Sequence, residues 1–426
     1  MSLRAFVKTY GCTLNQADSD IISSVLERDG VELVEREDSA DVVIVNTCTV
    51  KSATAQKILY KLNNLDSSGK KTVVTGCMAG ANRDLIEKYA PGASIITAPN
   101  IAEICSLMTD AYNGKKRILD GYKKVDRINF LEPKKNIIAK IPVSDGCVSI
   151  CNFCETKFAR GALNSFSEDI ILKAIKSSAD NGAREIQLTS QDMGAYGLDK
   201  RTNIAELMQK ISAIDGNFRV RIGMLNPDHL NRYFDSFLDA LKNKKFYKFV
   251  HLPIQSGSNR VLKAMKRNCK VESFESYVRE LRSKMPDITV ETDIIVGFPG
   301  ESEGDFDETI EFIKRAKPDV TNVSRFGARP HAAASKMRQH SRETINYRSL
   351  MLSRVVRSVQ HELNNRFIGK SLDVMITEST DKSWNARADN YKQVVLMKNA
   401  EIDGAFGIGS ATDALIKSAS ANVLYA

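Results

Sequence analysis

Cys147, Cys151 and Cys154 lie in one short run, Asp145-Gly146-Cys147-Val148-Ser149-Ile150-Cys151-Asn152-Phe153-Cys154, with three residues inside the first pair and two inside the second. Three thiolates this close can hold three corners of a cubane iron–sulfur cluster. The fourth iron is then left without a protein ligand. An open iron can bind a small molecule and pass it an electron, whereas four-cysteine sites mostly carry electrons or brace a fold. Zinc is the competing reading, but zinc sites usually draw a second ligand pair from a distance. No Cys or His follows until His229, and the spacing points to a cluster.

Cys12, Cys48 and Cys77 make a second set, in Tyr10-Gly11-Cys12, Asn46-Thr47-Cys48 and Thr75-Gly76-Cys77. Each stands just past a β-rich run. Residues 5–10, 41–46 and 71–75 read as strands, and 17–29, 52–65 and 83–89 as amphipathic helices. Continuous Val/Ile strands alternating with helices predict a doubly wound parallel sheet. The carboxyl ends of such strands share one edge, where ligands bind. Three thiols distant in sequence are thus delivered to one place, and a second open-iron cluster is expected there. The alternative is three small, semi-apolar residues at strand ends. Gly11 and Gly76 let the backbone turn close beside the sulfurs. Cys105 and Cys269 fit neither set and read as packed or surface thiols.

Residues 110–135 are polar and basic, Arg127 among them, and read as a connection between domains. Beyond them six runs, 137–143, 185–189, 219–223, 248–252, 290–296 and 319–326, read as strands, and nearly all end in polar motifs. Polar residues gathered at the carboxyl ends of strands describe a partial β/α barrel with its site at that mouth. From Lys336 to Lys370 eight basic residues face only Glu343 and Glu362. This stretch reads as a helix with an apolar stripe of Leu350, Leu352, Val355, Val356, Val359 and Leu363. It is either a solvated linker or a grip on a phosphate backbone. From residue 369 on, the β segments 371–378, 385–397 and 405–425 suit a small antiparallel barrel, serving nucleic acid or stability alone.

The expected fold is therefore α/β. An N-terminal doubly wound parallel sheet (1–125) precedes a central partial (β/α)6 barrel (133–340), a basic linker helix (341–368) and a small antiparallel β-barrel (369–426). A chain of 426 residues with 42% hydrophobic and 27% charged residues has ample material for a core. No run is apolar enough to span a bilayer, and the first residues lack a secretory hydrophobic region, so the cytoplasm is the expected compartment. Eight cysteines there argue for metal binding over disulfides. The net charge of +9 invites a polyanionic partner.

The two cysteine triads in this order resemble the radical S-adenosylmethionine methylthiotransferase family over essentially the whole length. Within it, Asn46-Thr47-Cys48-Thr49-Val50, Cys154-Glu155-Thr156-Lys157-Phe158-Ala159-Arg160-Gly161, Asp192-Met193-Gly194-Ala195-Tyr196-Gly197 and Gly223-Met224-Leu225-Asn226-Pro227 are similar to the archaeal and eukaryotic branch. That branch acts on N6-threonylcarbamoyladenosine beside the anticodon of tRNA. The resemblance implies insertion of a methylthio group at C2 of that adenine. Other branches act on isopentenyladenosine in tRNA or on a ribosomal protein. A non-catalytic, metal-containing RNA-binding protein is the reading from another class. The resemblance further implies two 4Fe-4S clusters, S-adenosylmethionine, a TRAM-like C-terminal barrel, tRNA as partner, and an electron donor such as ferredoxin or flavodoxin. The C2–H bond has no acidic proton and no leaving group, so a radical route fits where acid–base chemistry has little to act on. No protein side chain is assigned as catalytic, the chemistry resting with the clusters. Phe153 is expected on the adenine of S-adenosylmethionine, with Ser190, Arg221, Gln255 and Ser256 near its ribose, carboxylate and amine. Arg325 and Arg329 are expected to face an anion or to pair with Glu301 or Asp305, and His251 to be a hydrogen-bonded barrel residue. After Pro330 the family usually has Gly-Thr-Pro-Ala, where this chain has His331-Ala332-Ala333-Ala334.

Overall fold

The structure is a computed structural model that describes residues 2–49, 52–121, 123–398 and 406–426. Val50 of the Asn46–Val50 motif and position 405, the expected start of the last β segment, lie outside the described residues. The N-terminal sheet has six parallel strands in the order Glu32–Leu33, Arg4–Thr9, Val42–Thr47, Lys71–Gly76, Ser94–Ile96, Ile118–Leu119. Every residue of Val42–Thr47 is buried, because helices cover both faces. Val42 and Ile44 pack with helices Thr13–Arg28 and Ile104–Tyr112, while Val43 and Val45 pack with Ser52–Ser67 and Arg83–Tyr89. The strand order reverses between Arg4–Thr9 and Val42–Thr47, the switch point at which such sheets open a crevice. Cys12 and Cys48 follow the two strands that flank it, and Cys77 opens the helix after the next strand. In this sheet the sequence reading missed Glu32–Leu33, Ser94–Ile96 and Ile118–Leu119, which are too short to show a period.

The central strands Ile138–Pro142, Glu185–Thr189, Arg219–Arg221, Phe249–His251, Thr289–Val296 and Val320–Arg325 are parallel and stand in chain order. A bridge from Val220 to Phe246 joins the two halves into one open, partial barrel. Along Thr289–Val296, Val290, Ile294 and Val296 are buried in the apolar core, and Glu291 and Asp293 fall on the opposite, less buried face. Helix Arg342–Asn365 docks Leu352, Val356, Val359 and Leu363 on the same core, whereas Leu350 is 53% exposed and lies off that stripe.

The C-terminal strands run in the order Ala411–Leu415, Ser371–Ser379, Ser383–Ala388, Gln393–Met397, Leu424–Tyr425, Ser418–Ala419. They form a curled half-barrel rather than a closed one, and Gln393–Met397 pairs with Leu424–Tyr425 in parallel. Tyr391, at a φ of +65°, fastens this sheet to the base of the central barrel. Its hydroxyl donates to Glu185 at 2.9 Å and accepts from Gln187 at 3.1 Å.

The connection between the first two domains is more than a tether. Ile118–Leu119 is the edge strand of the N-terminal sheet. Arg127 is fully buried and pairs with Asp18 of the first helix and with Asp145 beside the cysteine loop. Among the described residues no helix is long and apolar enough to cross a membrane.

Candidate active site

The N-terminal triad is assembled by tight backbone turns. Gly11 has a φ of +111°, and a Cβ there would lie 2.8 Å from Cβ of Cys48. Gly76, at +87°, would put a Cβ 2.4 Å from the Thr47 carbonyl oxygen. Asn15 holds the loops together, its Nδ2 donating to the carbonyls of Tyr10 and Thr47 at 2.8 and 2.7 Å. Its Oδ1 accepts from the thiols of Cys12 and Cys77 at 3.9 and 3.7 Å. Burial pushes the Cys77 thiol up to about 11. A metal that displaces the proton is what would hold it as thiolate at neutral pH.

The second triad closes around a cavity of about 350 Å³, a size that suits a cofactor-sized molecule. The Ser149 and Thr156 backbone N–H groups donate to Cys147 and Cys154 sulfurs at 3.3 and 3.4 Å. Burial raises Cys147 to about 11, and raises Cys151 against the pull of Arg267. Of the residues expected around S-adenosylmethionine, Phe153 and Gln255 line this cavity. Gln255 has a φ of +83°, which a non-glycine residue seldom adopts. Ser190, Arg221 and Ser256 are not among its described lining residues. The hydroxyls of Ser190 and Ser256 accept the backbone N–H of Asp192 and Ser258. The Arg221 guanidinium lies over the rings of Phe249 and Tyr391, towards the base of the barrel. Gln191 lines the cavity instead, with both amide atoms enclosed and without a hydrogen-bond partner. Side chains alternate along a strand. Counting by twos from Gln187, which meets Tyr391 at the barrel base, would have selected Gln191 over Ser190.

One short helix joins the triads. Thr156–Arg160 starts two residues after Cys154 and ends on a side chain aimed at the other set. Arg160 Nε donates to Cys77 Sγ at 3.4 Å, and Nη2 donates to Asn15 Oδ1 at 2.9 Å. Nη2 is also 2.6 Å from Asp18 Oδ2, close enough to pair the charges though poorly aligned for a hydrogen bond. Helix Cys77–Ala81 crosses this helix at Gly80, against the Ala159 carbonyl. Arg329 lies within electrostatic reach of Glu155, Cys48 and Cys154, members of both sets among them. Burial lowers its pKa. His331 stacks on Phe158 at 4.9 Å, and its Nε2 lies 2.6 Å from the Ala81 carbonyl oxygen. Arg325 bonds Asn346, Glu301 pairs with Arg348, and Asp305 with Arg260, so Arg325 and Arg329 leave those two carboxylates to other partners. Three thiols per set, with N–H donors pointed at sulfur and enclosed amide atoms awaiting partners, fit a cluster at each triad and a ligand in the cavity. Asn15, Asp18 and Arg160 carry no motif of their own beyond the quoted Arg160-Gly161, and sequence reasoning gave them no role.

Residues 4–98 match the model of a family described as Uncharacterized protein family UPF0004, and residues 141–313 that of the Radical SAM superfamily. A Pyrococcus abyssi protein named Probable threonylcarbamoyladenosine tRNA methylthiotransferase is 39% identical over 92% of this chain and 93% of its own. The Homo sapiens Threonylcarbamoyladenosine tRNA methylthiotransferase is 32% identical over 94% of this chain and 70% of its own. Among solved structures, the radical S-adenosylmethionine methyltransferase TsrM from Kitasatospora setae, with cobalamin and a 4Fe-4S cluster bound, shares the fold. Its TM-score is 0.58 at 16% identity, covering 79% of this chain and 74% of that one. Identity at the level of the archaeal relative, sustained along almost all of both chains, leaves one conclusion: this chain belongs to the threonylcarbamoyladenosine tRNA methylthiotransferase family.

Proposed function

We propose that this protein inserts a methylthio group at C2 of N6-threonylcarbamoyladenosine in tRNA, with an electron donor such as ferredoxin or flavodoxin as its redox partner. The observation that supports it best is the pair of cysteine triads held on one structural joint, with a cavity of about 350 Å³ at the second. When bound, a 4Fe-4S cluster at Cys147, Cys151 and Cys154 supplies the electron that splits S-adenosylmethionine, and one at Cys12, Cys48 and Cys77 the sulfur for transfer. The protein's own part is to bind and orient. Phe153 offers an aromatic face to the adenine, while Gln191 and Gln255 offer amides to its polar groups. Arg329, within electrostatic reach of cysteines of both sets, adds positive charge near them. Residues 1–125 would carry sulfur, 133–340 the radical chemistry, and 341–426 the tRNA. An RNA substrate of this kind places the work in the cytoplasm.

The test is anaerobic reconstitution with iron and sulfide, then incubation with threonylcarbamoyl-bearing tRNA, dithionite and S-adenosylmethionine. Nucleoside mass spectrometry should show one methylthio group in place of one hydrogen on that base. Cleavage of S-adenosylmethionine with product only on isopentenyladenosine tRNA, or on no tRNA, would overturn the reading.

A further inference from the structure

We propose that Arg160 is a positioning residue for the N-terminal triad, acting through Cys77 to set the reduction potential of the cluster held there. This rests on the reading that Cys12, Cys48 and Cys77 carry a cluster. The Arg160 side chain is 1% exposed, so its charge must be met inside the protein. Two guanidiniums, Arg127 and Arg160, share two carboxylates, Asp18 and Asp145, in one enclosed group. The charges balance, yet the hydrogen bonds do not. Arg127 is bidentate to Asp145 and also reaches Asp18. Arg160 spends Nη2 on Asn15, turns Nε to the Cys77 sulfur at 3.4 Å, and leaves Nη1 enclosed without a hydrogen bond, 3.9 Å from Asp145 Oδ1. An enclosed donor without a hydrogen bond is costly, and the donor that Arg160 does commit to sulfur, Nε, is thereby fixed on Cys77.

The consequence is electrostatic. Reduction adds one negative charge to a cluster. A cation fixed against a ligand sulfur, with water excluded, favours that reduced form. Guanidinium stays charged at any working pH and is held here by three partners, so it is preorganised for the task. The donor also sits on the helix that follows Cys154. A displacement of the cavity-side cysteine loop would therefore shift the donor at the other triad.

The experiment uses the full chain with Cys147, Cys151 and Cys154 all changed to Ala, so that only the N-terminal triad can hold a cluster. The potential is read by electron paramagnetic resonance during titration with dithionite. Arg160→Gln should lower the reduced-to-oxidised ratio at a fixed potential by about tenfold, equivalent to about 59 mV for one electron. Asp18→Asn removes a negative charge from the same group and should shift the potential in the opposite direction. Loss of mere packing would admit water and move both variants the same way. An unchanged potential in both, or shifts of the same sign, would overturn the role of Arg160. Should Arg160→Gln fail to keep iron, the sign of the Asp18→Asn shift decides alone. No cluster in the parent triple variant would instead overturn the reading that this triad carries one.

Discussion

His251 stands on the third residue of strand Phe249–His251, and its Nε2 meets Asp293 Oδ2 at 3.1 Å. Glu291 lies 4.0 Å away, Asn322 donates to both carboxylates, and Arg221 opposes the charge from the neighbouring strand. Burial pulls the imidazole down, but the bond to Asp293 and the two carboxylates outweigh it, so the folded pKa is raised above 6.5. A raised histidine pKa contributes stability that is fully present below the unfolded value and is lost as pH rises through the folded one. His251→Gln should therefore lower stability most near pH 5.5, by about 1.5–3 kcal/mol as expected for a charged hydrogen bond. The gap should shrink towards pH 8.5. Urea unfolding of the metal-free protein at the two pH values measures it, and a gap that widens with pH would exclude the pairing. Such a tethered imidazole is a poor general base, in keeping with a reaction carried by cofactors.

At the scale of elements, the joint between the helices Cys77–Ala81 and Thr156–Arg160 is the most demanding contact. A Cβ on Gly80 would lie 2.3 Å from the Ala159 carbonyl oxygen, and backbone cannot swing aside as a side chain does. Gly80→Ala should lower the unfolding free energy by about 1–3 kcal/mol, as overpacking usually does. It should also spread the two triads, so that S-adenosylmethionine cleavage survives while methylthio transfer falls. Gly304→Ala, where the nearest atom is 3.9 Å away, is the control that should cost nothing. Retained transfer with a normal midpoint would show the joint to be slack. Neither this contact nor the Asp18–Arg127–Asp145 group was legible in the sequence, although both cysteine triads were. Cys147, Cys151 and Cys154 declare themselves by local spacing, and Cys12, Cys48 and Cys77 by ending long Val/Ile strands. Arg127 instead finds one of its carboxylates 109 residues away, in a stretch whose composition reads as a solvated link. The six barrel strands were legible for the same reason as the cysteines, each being a run of local pattern. Of the residues expected near strand ends, Gln255 lines the cavity, whereas the Ser190 and Ser256 hydroxyls accept nearby backbone N–H groups and Gln191 takes the place expected of Ser190.

For the molecule as a whole, the question is where its +9 charge can act. The stretch from Lys336 to Lys370 holds eight basic side chains, but the fold has already taken some. Arg348 is buried between Glu301 and Glu303 at 2.7 and 2.6 Å, and Arg366 pairs with Asp319 at 3.2 Å. Arg354 and Arg357 are exposed on the outer side of helix Arg342–Asn365, whose inner side belongs to the barrel core. If this helix grips tRNA, each phosphate it neutralises adds about 0.9 to the slope of log affinity against log salt, the value for duplex helices. Arg354→Ala with Arg357→Ala should then reduce that slope by roughly 1–2 between about 50 and 200 mM salt. Arg348→Ala should act differently. It leaves Glu301 buried and unpaired, costs about 3–5 kcal/mol of stability and leaves the slope alone. Fluorescence titration of labelled tRNA separates the two. A slope unchanged by loss of both exposed arginines would make the helix a strut between barrel and tail, and would leave tRNA binding to the half-barrel and to the cavity rim.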